Sequence, residues 1–195
     1  MMDFWEIFTL ITGLIYIVLE IRQSRWMWVV GVLTGVAAVV VFARQSLWAS
    51  MGLNAYYVAI SFWGLYAWAR DERKLDASAE AAADALHLRP ISLRILLVSA
   101  LMLAAGTAAL VLLLRALGDP MSALDAGVAV LSAIATWWLS RSHISQWWLW
   151  IAADLCSTLL CLSQGLYWMT ALYAFYTLSA GVGYVHWRRH GVYIR

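Results

Sequence analysis

Three residues in the last quarter of the chain, Trp147, Trp150 and Asp154, combine two indole rings with one carboxylate. Read as a helix at about 100° per residue, the spacing i, i+3, i+7 places all three within an arc of roughly 60°. The surrounding residues are apolar, and a carboxylate inside a membrane segment is costly and usually functional. Because aromatic faces attract cations, this stripe predicts a receptor for a flat, positively charged organic ring.

A second polar stripe with the same spacing lies on an earlier hydrophobic segment and consists of Asn54, Tyr57 and Ser61. If this stripe faces the first one, the pocket gains a second wall. The amide of Asn54 offers donors and an acceptor suited to an amide or a ribose hydroxyl. Tyr173 and Tyr176 on the last segment are further candidates for substrate contact.

Each of these candidates also has a structural interpretation. The polar residues of the second stripe could serve hydrogen-bonded helix packing. The two tryptophans could belong to the aromatic belt at the membrane interface. Asp154 could pair with a hydroxyl or an indole N–H of a neighbouring helix.

The composition indicates an integral membrane protein. Of the 195 residues, 64% are hydrophobic and only 12% are charged, whereas a soluble domain carries about 25% charged residues. The 13 Trp and 9 Tyr, many near segment ends, are typical of interfacial aromatic belts. Nothing in the sequence implies a cofactor, a metal site or nucleic-acid binding.

The fold class that follows is an all-α membrane protein with seven transmembrane helices. A helical span needs about 20 mostly apolar residues, and the sequence offers seven such segments. The interval 70–90 holds most of the soluble charge and is predicted to be a cytoplasmic linker with an Ala-rich helical stretch. The seven segments are 4–21, 26–43, 47–69, 91–114, 121–139, 144–163 and 166–187.

The distribution of Lys and Arg predicts the orientation, since cytoplasmic loops carry the excess of positive charge. With the N-terminus outside and the C-terminus cytoplasmic, eleven of the 13 basic residues fall on the inner side and only Arg44 and Arg115 on the outer side. The alternation also supports the count of seven spans.

An internal repeat appears when the chain is shifted by 119 residues. The third segment then matches the seventh with eight identities in 26 positions, and Trp28 falls on Trp147. Two parallel three-helix repeats need an odd number of spans between them, which predicts a 3+1+3 arrangement with a site between the repeats. The predicted regions are 1–70 (first bundle), 71–120 (linker and connecting helix) and 121–195 (second bundle).

The chain resembles the PnuC family of bacterial vitamin transporters. The resemblance covers nearly the whole length and rests on Trp147-x-x-Trp150-x-x-x-Asp154, on 164–167 (Gln-Gly-Leu-Tyr), and on Asn54-x-x-Tyr57 in the first repeat. Some family members begin with an extra N-terminal hydrophobic segment, which is one departure. The other lies at position 154, where the pattern of the nicotinamide riboside members, Trp-x-x-Trp-x-x-x-Asn, ends in Asn and this chain has Asp154. That departure leaves the choice of vitamin open.

The resemblance implies a fold related to the SWEET sugar transporters, a homotrimer and a location in the bacterial inner membrane. It implies facilitated diffusion of nicotinamide riboside, trapped inside by a cytoplasmic kinase that phosphorylates it. Thiamine is the alternative substrate, because both molecules carry a fixed positive charge on an aromatic ring.

Three other functions compete with a facilitator. A proton-coupled transporter would use Asp154 as its relay. A membrane enzyme is disfavoured, since the sequence has no Ser/His/Asp constellation, no HExxH, no phosphate loop and no paired carboxylates on one face. A subunit without a substrate of its own is the last alternative.

Overall fold

The computed structural model describes residues 4–44, 48–76, 86–116 and 123–193, and in these ranges the chain forms seven helices and two short strands that pair with each other. The predicted all-α fold with seven segments is confirmed. The helices are α1 (Phe4–Ile21), α2 (Trp26–Arg44), α3 (Trp48–Asp76), α4 (Leu93–Ala116), α5 (Ala123–Ser140), α6 (Gln146–Ser163) and α7 (Tyr167–His190), and the strands are β1 (Leu86–Leu88) and β2 (Gly191–Tyr193).

The main departures from the predicted segments lie in and around the charged linker. Helix α3 continues past residue 70 to Asp76, because Arg, Glu and Lys are good helix formers even where the sequence stops being apolar. Strand β1 follows at Leu86–Leu88. The Ala-rich stretch 77–85 lies outside the described residues.

By length and composition alone, two of the described helices are apolar enough to cross a membrane, namely α4 and α5, and a shorter apolar stretch covers Trp26–Val40. Of these two helices, α4 exposes more of its surface, since only Ser99 and Leu114 are buried within the chain.

The described residues fall into two compact units, and the predicted division into 1–70, 71–120 and 121–195 stays a prediction. Unit 1 comprises Met1–His87 with His186–Ile194, and unit 2 is essentially Leu88–Val185.

The centre of unit 1 is a cluster of buried aromatic rings around Trp68. The ring of Trp68 meets Trp28 edge-on at 5.2 Å between centroids, His87 at 5.6 Å and Trp187 at 6.3 Å. The Nε1 of Trp187 donates to the carbonyl of Ile21 at 3.0 Å. This cluster ties the end of α7 to the end of α1.

Helices α2 and α3 of unit 1 pack closely because two glycines of α2 face α3. A Cβ added at Gly31 would lie 2.9 Å from Ser61 Oγ, and one at Gly35 would lie 2.7 Å from Val58 Cγ2. Small residues at a helix interface let backbones approach in this way.

In unit 2, buried aromatic side chains on α5 and α6 hold the helices together. The Nε1 of Trp138 donates to Ser99 Oγ on α4 at 2.9 Å. The ring of Trp147 on α6 lies against Gly183 of α7, so closely that a Cβ there would overlap the indole.

Several local features recur at positions 119 residues apart, each within its own unit. Gln23 and Ser142, in the turns that precede α2 and α6, are the non-glycine residues of the described chain with positive φ, at 51° and 58°. In the first turn Ser24 N donates to Leu19 O at 2.8 Å. The equivalent bond of the second turn joins His143 N to Trp138 O at 3.1 Å.

The same shift relates two aromatic contacts. Trp28 lies over Gly64 in unit 1 as Trp147 lies over Gly183 in unit 2, and both indoles are buried. The two units thus share a turn and a helix–helix contact that the sequence identities alone only suggested.

Candidate functional site

The predicted stripe of Trp147, Trp150 and Asp154 lies on α6, but its three side chains have different surroundings. Trp147 is 2% exposed and packs over Gly183. Its contacts are those of a residue that holds α6 against α7. Trp150 is only partly buried and lies one turn from Asp154.

Asp154 is a buried carboxylate, 8% exposed. No described side chain forms an ion pair or a hydrogen bond with its carboxylate; the contact recorded for this residue is at its backbone carbonyl, which accepts from Thr158 Oγ1 at 2.7 Å. A carboxylate taken out of water without a partner is costly. Asp154 is therefore a site where a positively charged group would be stabilised.

Two tyrosines of α7 lie within electrostatic range of this carboxylate. The hydroxyls of Tyr173 and Tyr176 are near enough to interact electrostatically with Asp154. Their rings meet edge-on at 6.1 Å between centroids. The fold thus brings three predicted site residues together within unit 2, with Trp150 one helical turn along α6.

The equivalent positions in unit 1 carry no such groups. Shifting Trp150 and Asp154 back by 119 residues gives Gly31 and Gly35, the two glycines through which α2 packs on α3. In keeping with this, α2 and α3 approach closely over much of their length, whereas the described α6 and α7 backbones come within 8 Å of each other at hardly any position. Unit 2 therefore places a ring and a carboxylate where unit 1 has close helix packing.

The predicted α3 stripe belongs to unit 1, where its members also differ. Ser61 is buried against Gly31, and its hydroxyl donates to Tyr57 O at 2.6 Å, so that its contacts are those of helix packing. The ring of Tyr57 lies beside Tyr56 at 5.6 Å between centroids. Asn54 is half-buried and is already engaged in an interaction within the chain.

Gln146, at the start of α6, is a polar residue that the sequence interpretation missed. It is completely buried, and within the described ranges neither Oε1 nor Nε2 has a hydrogen-bond partner. The Nε1 of Trp150, one turn further along, is also buried without a partner there. Its position four residues before Trp150, on the same face of the helix, is the sequence signal that could have identified Gln146.

Comparison with known proteins identifies the family of this chain. A family model described as "Nicotinamide mononucleotide transporter" matches residues 3–189. The chain belongs to the PnuC family. This membership confirms the resemblance noted in the sequence and makes the chain a multi-pass membrane transporter of a small-molecule vitamin, not an enzyme.

Individual members of the family are distant from this chain. The nicotinamide riboside transporter PnuC of Escherichia coli (strain K12) is 25% identical over 166 residues, which cover 76% of this chain and 70% of that protein. The riboflavin/roseoflavin transporter RibM of Streptomyces davaonensis is 28% identical over 170 residues, covering 85% and 76%.

The solved structure of a relative supports the fold. The crystal structure of the vitamin B3 transporter PnuC superposes with a TM-score of 0.66 over 92% of this chain and 80% of that one, at 21% identity. At that identity the likeness is one of fold, and the substrate has to be argued from the residues of this chain.

Proposed function

We propose that the chain transports a vitamin with a flat, positively charged heteroaromatic ring, nicotinamide riboside first, across the bacterial inner membrane. The observation that carries the proposal is the buried Asp154 carboxylate, which has no partner among the described side chains. It lies one helical turn from Trp150 on α6 and within electrostatic range of Tyr173 and Tyr176. The PnuC relative in E. coli, named for nicotinamide riboside, supports the substrate.

The recognition we propose has an electrostatic and an aromatic part. The fixed positive charge of the ring compensates the buried carboxylate of Asp154, which has no counter-charge among the described side chains. The face of Trp150 stacks on the same ring, a contact worth up to about 2 kcal/mol when water is excluded. The hydroxyls of Tyr173 and Tyr176 are available for the ribose.

The remaining predicted contacts have weaker support. Asn54 and Tyr57 remain proposed substrate contacts on α3. Trp147 and Ser61 are also proposed contacts, although each packs on a glycine, which favours a role in holding helices together.

We further propose that the fold is a 3+1+3 arrangement of parallel repeats, related to SWEET proteins, with α4 as the connecting helix. The turns at Gln23 and Ser142 and the two tryptophan–glycine contacts support the repeat. The N-terminus is proposed to lie outside, on the distribution of Lys and Arg. A homotrimer is proposed from the family resemblance alone.

Transport is proposed to be facilitated diffusion, with phosphorylation by a cytoplasmic kinase trapping the substrate. In proteoliposomes without kinase, labelled nicotinamide riboside should equilibrate without exceeding the outside concentration, and a protonophore should not change the rate. Accumulation driven by a pH gradient and abolished in Asp154→Asn would favour the proton-coupled alternative instead.

Two other substrates are distinguished by charge. Thiamine also carries a cationic aromatic ring, so Asp154 fits it equally well. Riboflavin is favoured by the similarity to RibM, but its neutral ring offers no counter-charge to Asp154. Competition of unlabelled thiamine and riboflavin in the same proteoliposome assay separates the three.

A further inference from the structure

The side-chain amide of Gln146 is buried without a hydrogen bond to any described residue. The residue is 0% exposed, and both atoms of its amide group lack hydrogen-bond partners in the described ranges. Buried polar side chains nearly always find a partner, so that each exception calls for an explanation. An amide supplies both a donor and an acceptor, and here both are unused.

The other unit shows that packing does not require an amide at this place. The equivalent residue, 119 positions earlier, is Met27, which is also 0% exposed. Met and Gln side chains are similar in length and unbranched, so an apolar side chain fills the same kind of position at the start of α2. The amide of Gln146 is therefore a polar group that helix packing at this position does not require.

The position of Gln146 relates it to the proposed substrate site. Gln146, Trp150 and Asp154 follow each other at intervals of four residues on α6, which places them within an arc of about 80° and about 6 Å apart along the axis. Trp150 lies between the other two, and its Nε1 also has no hydrogen-bond partner among the described residues. A ring stacked on Trp150 would therefore have Asp154 on one side and Gln146 on the other.

From this arrangement we infer that Gln146 is a specificity-determining residue, which hydrogen-bonds a ring substituent away from the charged nitrogen. An edge that presents a donor and an acceptor side by side, as a carboxamide does, matches both atoms of the glutamine amide. The inference rests on the proposed function, because it assumes that an aromatic cation lies on Trp150. It adds the feature of the substrate that the site selects.

The test compares two cationic ligands that differ only at this edge: nicotinamide riboside and the riboside of unsubstituted pyridine, which keeps the sugar and the charge. The affinity of the wild-type chain for nicotinamide riboside should exceed its affinity for the pyridine riboside by about tenfold or more. Gln146→Met, the residue found at the equivalent place in unit 1, should bind both with similar, weak affinity. Its thermal unfolding temperature should not fall, since no hydrogen bond within the described chain is lost.

Leu159→Ala is the matched control, because Leu159 lies on α6 but is 65% exposed; it should keep the wild-type preference. If Gln146→Met kept that preference, the amide would be satisfied by ordered water and the inference would be overturned. The proposed function would stand as long as Asp154→Asn still weakened both ligands. If the wild-type chain bound neither ligand, both proposals would fall together.

Discussion

The indole of Trp147 lies directly over Gly183, at a distance that leaves no room for a side chain on α7. The contact joins the start of α6 to the last third of α7 within unit 2. Because Trp28 and Gly64 make the same contact in unit 1, we interpret it as helix packing that the two units share. Of the two indoles on this face of α6, Trp150 is then the one left to meet a substrate.

This contact predicts a steric effect on stability. Gly183→Ala should lower the free energy of unfolding by about 1–3 kcal/mol, because the new methyl group collides with a ring that is itself fully packed. Gly64→Ala should do the same in unit 1. Thermal unfolding of the detergent-solubilised protein measures both changes.

Gly181→Ala is the control, since it lies two residues away on α7 and a Cβ there meets nothing within 4 Å. That variant should be neutral or more stable by about 0.5–1 kcal/mol, as for Gly→Ala in a helix generally. If Gly183→Ala were as stable as Gly181→Ala, the packing role of Trp147 would be wrong.

Trp150 is expected to contribute to binding rather than to stability. Trp150→Ala should weaken binding of a cationic aromatic vitamin by about 1–3 kcal/mol, comparable to stacking of nucleobases on aromatic residues. Trp150→Phe should keep most of that energy, since it retains an aromatic face. Calorimetric titration of the purified variants gives the numbers.

Trp148→Ala, on the same helix but 56% exposed and facing Tyr184, serves as the comparison for Trp150→Ala. Equal, small losses in the two variants would remove Trp150 from the site.

The turn between α5 and α6 should make stability depend on pH through His143. Burial lowers the pKa of this histidine from its usual value of 6.5, as do the nearby Arg141 and Arg89, although a bond between its Nδ1 and the carbonyl of Arg89 at 3.0 Å acts in the opposite direction. The neutral form is therefore the one that the folded state favours. Its contribution is complete above about pH 6.5 and is lost as the pH falls below that value towards the lowered pKa.

The unfolding temperature should thus decrease between about pH 7 and 5, and His143→Asn, which can still donate to Arg89 O, should flatten this decrease. A variant with the same slope as the wild type would show that other groups determine it.

Much of the fold was predictable because membrane segments leave a strong compositional signal. Helix α1 begins and ends at the predicted residues 4 and 21. Helix α3 was predicted too short, since the charged residues after Arg70 suggested a linker although they are good helix formers. The strands β1 and β2 have three residues each and carry no periodicity that could have predicted them.

The site was predictable only in part, because a helical stripe identifies a face and not its neighbours. The spacing correctly placed Trp147, Trp150 and Asp154 on one face of α6, but it could not distinguish the indole over Gly183 from the one beside the carboxylate. It also missed Gln146, whose importance appears only when its burial and its unused amide are known.

The most direct test of the proposed site is a binding measurement on the purified chain with nicotinamide riboside, thiamine and riboflavin, using quenching of its tryptophan fluorescence. We expect saturable quenching by a cationic vitamin, nicotinamide riboside first, and an affinity lower by about tenfold or more in Asp154→Asn, because asparagine removes the counter-charge of the bound ring. Binding of riboflavin alone, or an unchanged affinity for the cationic vitamin in Asp154→Asn, would contradict this proposal.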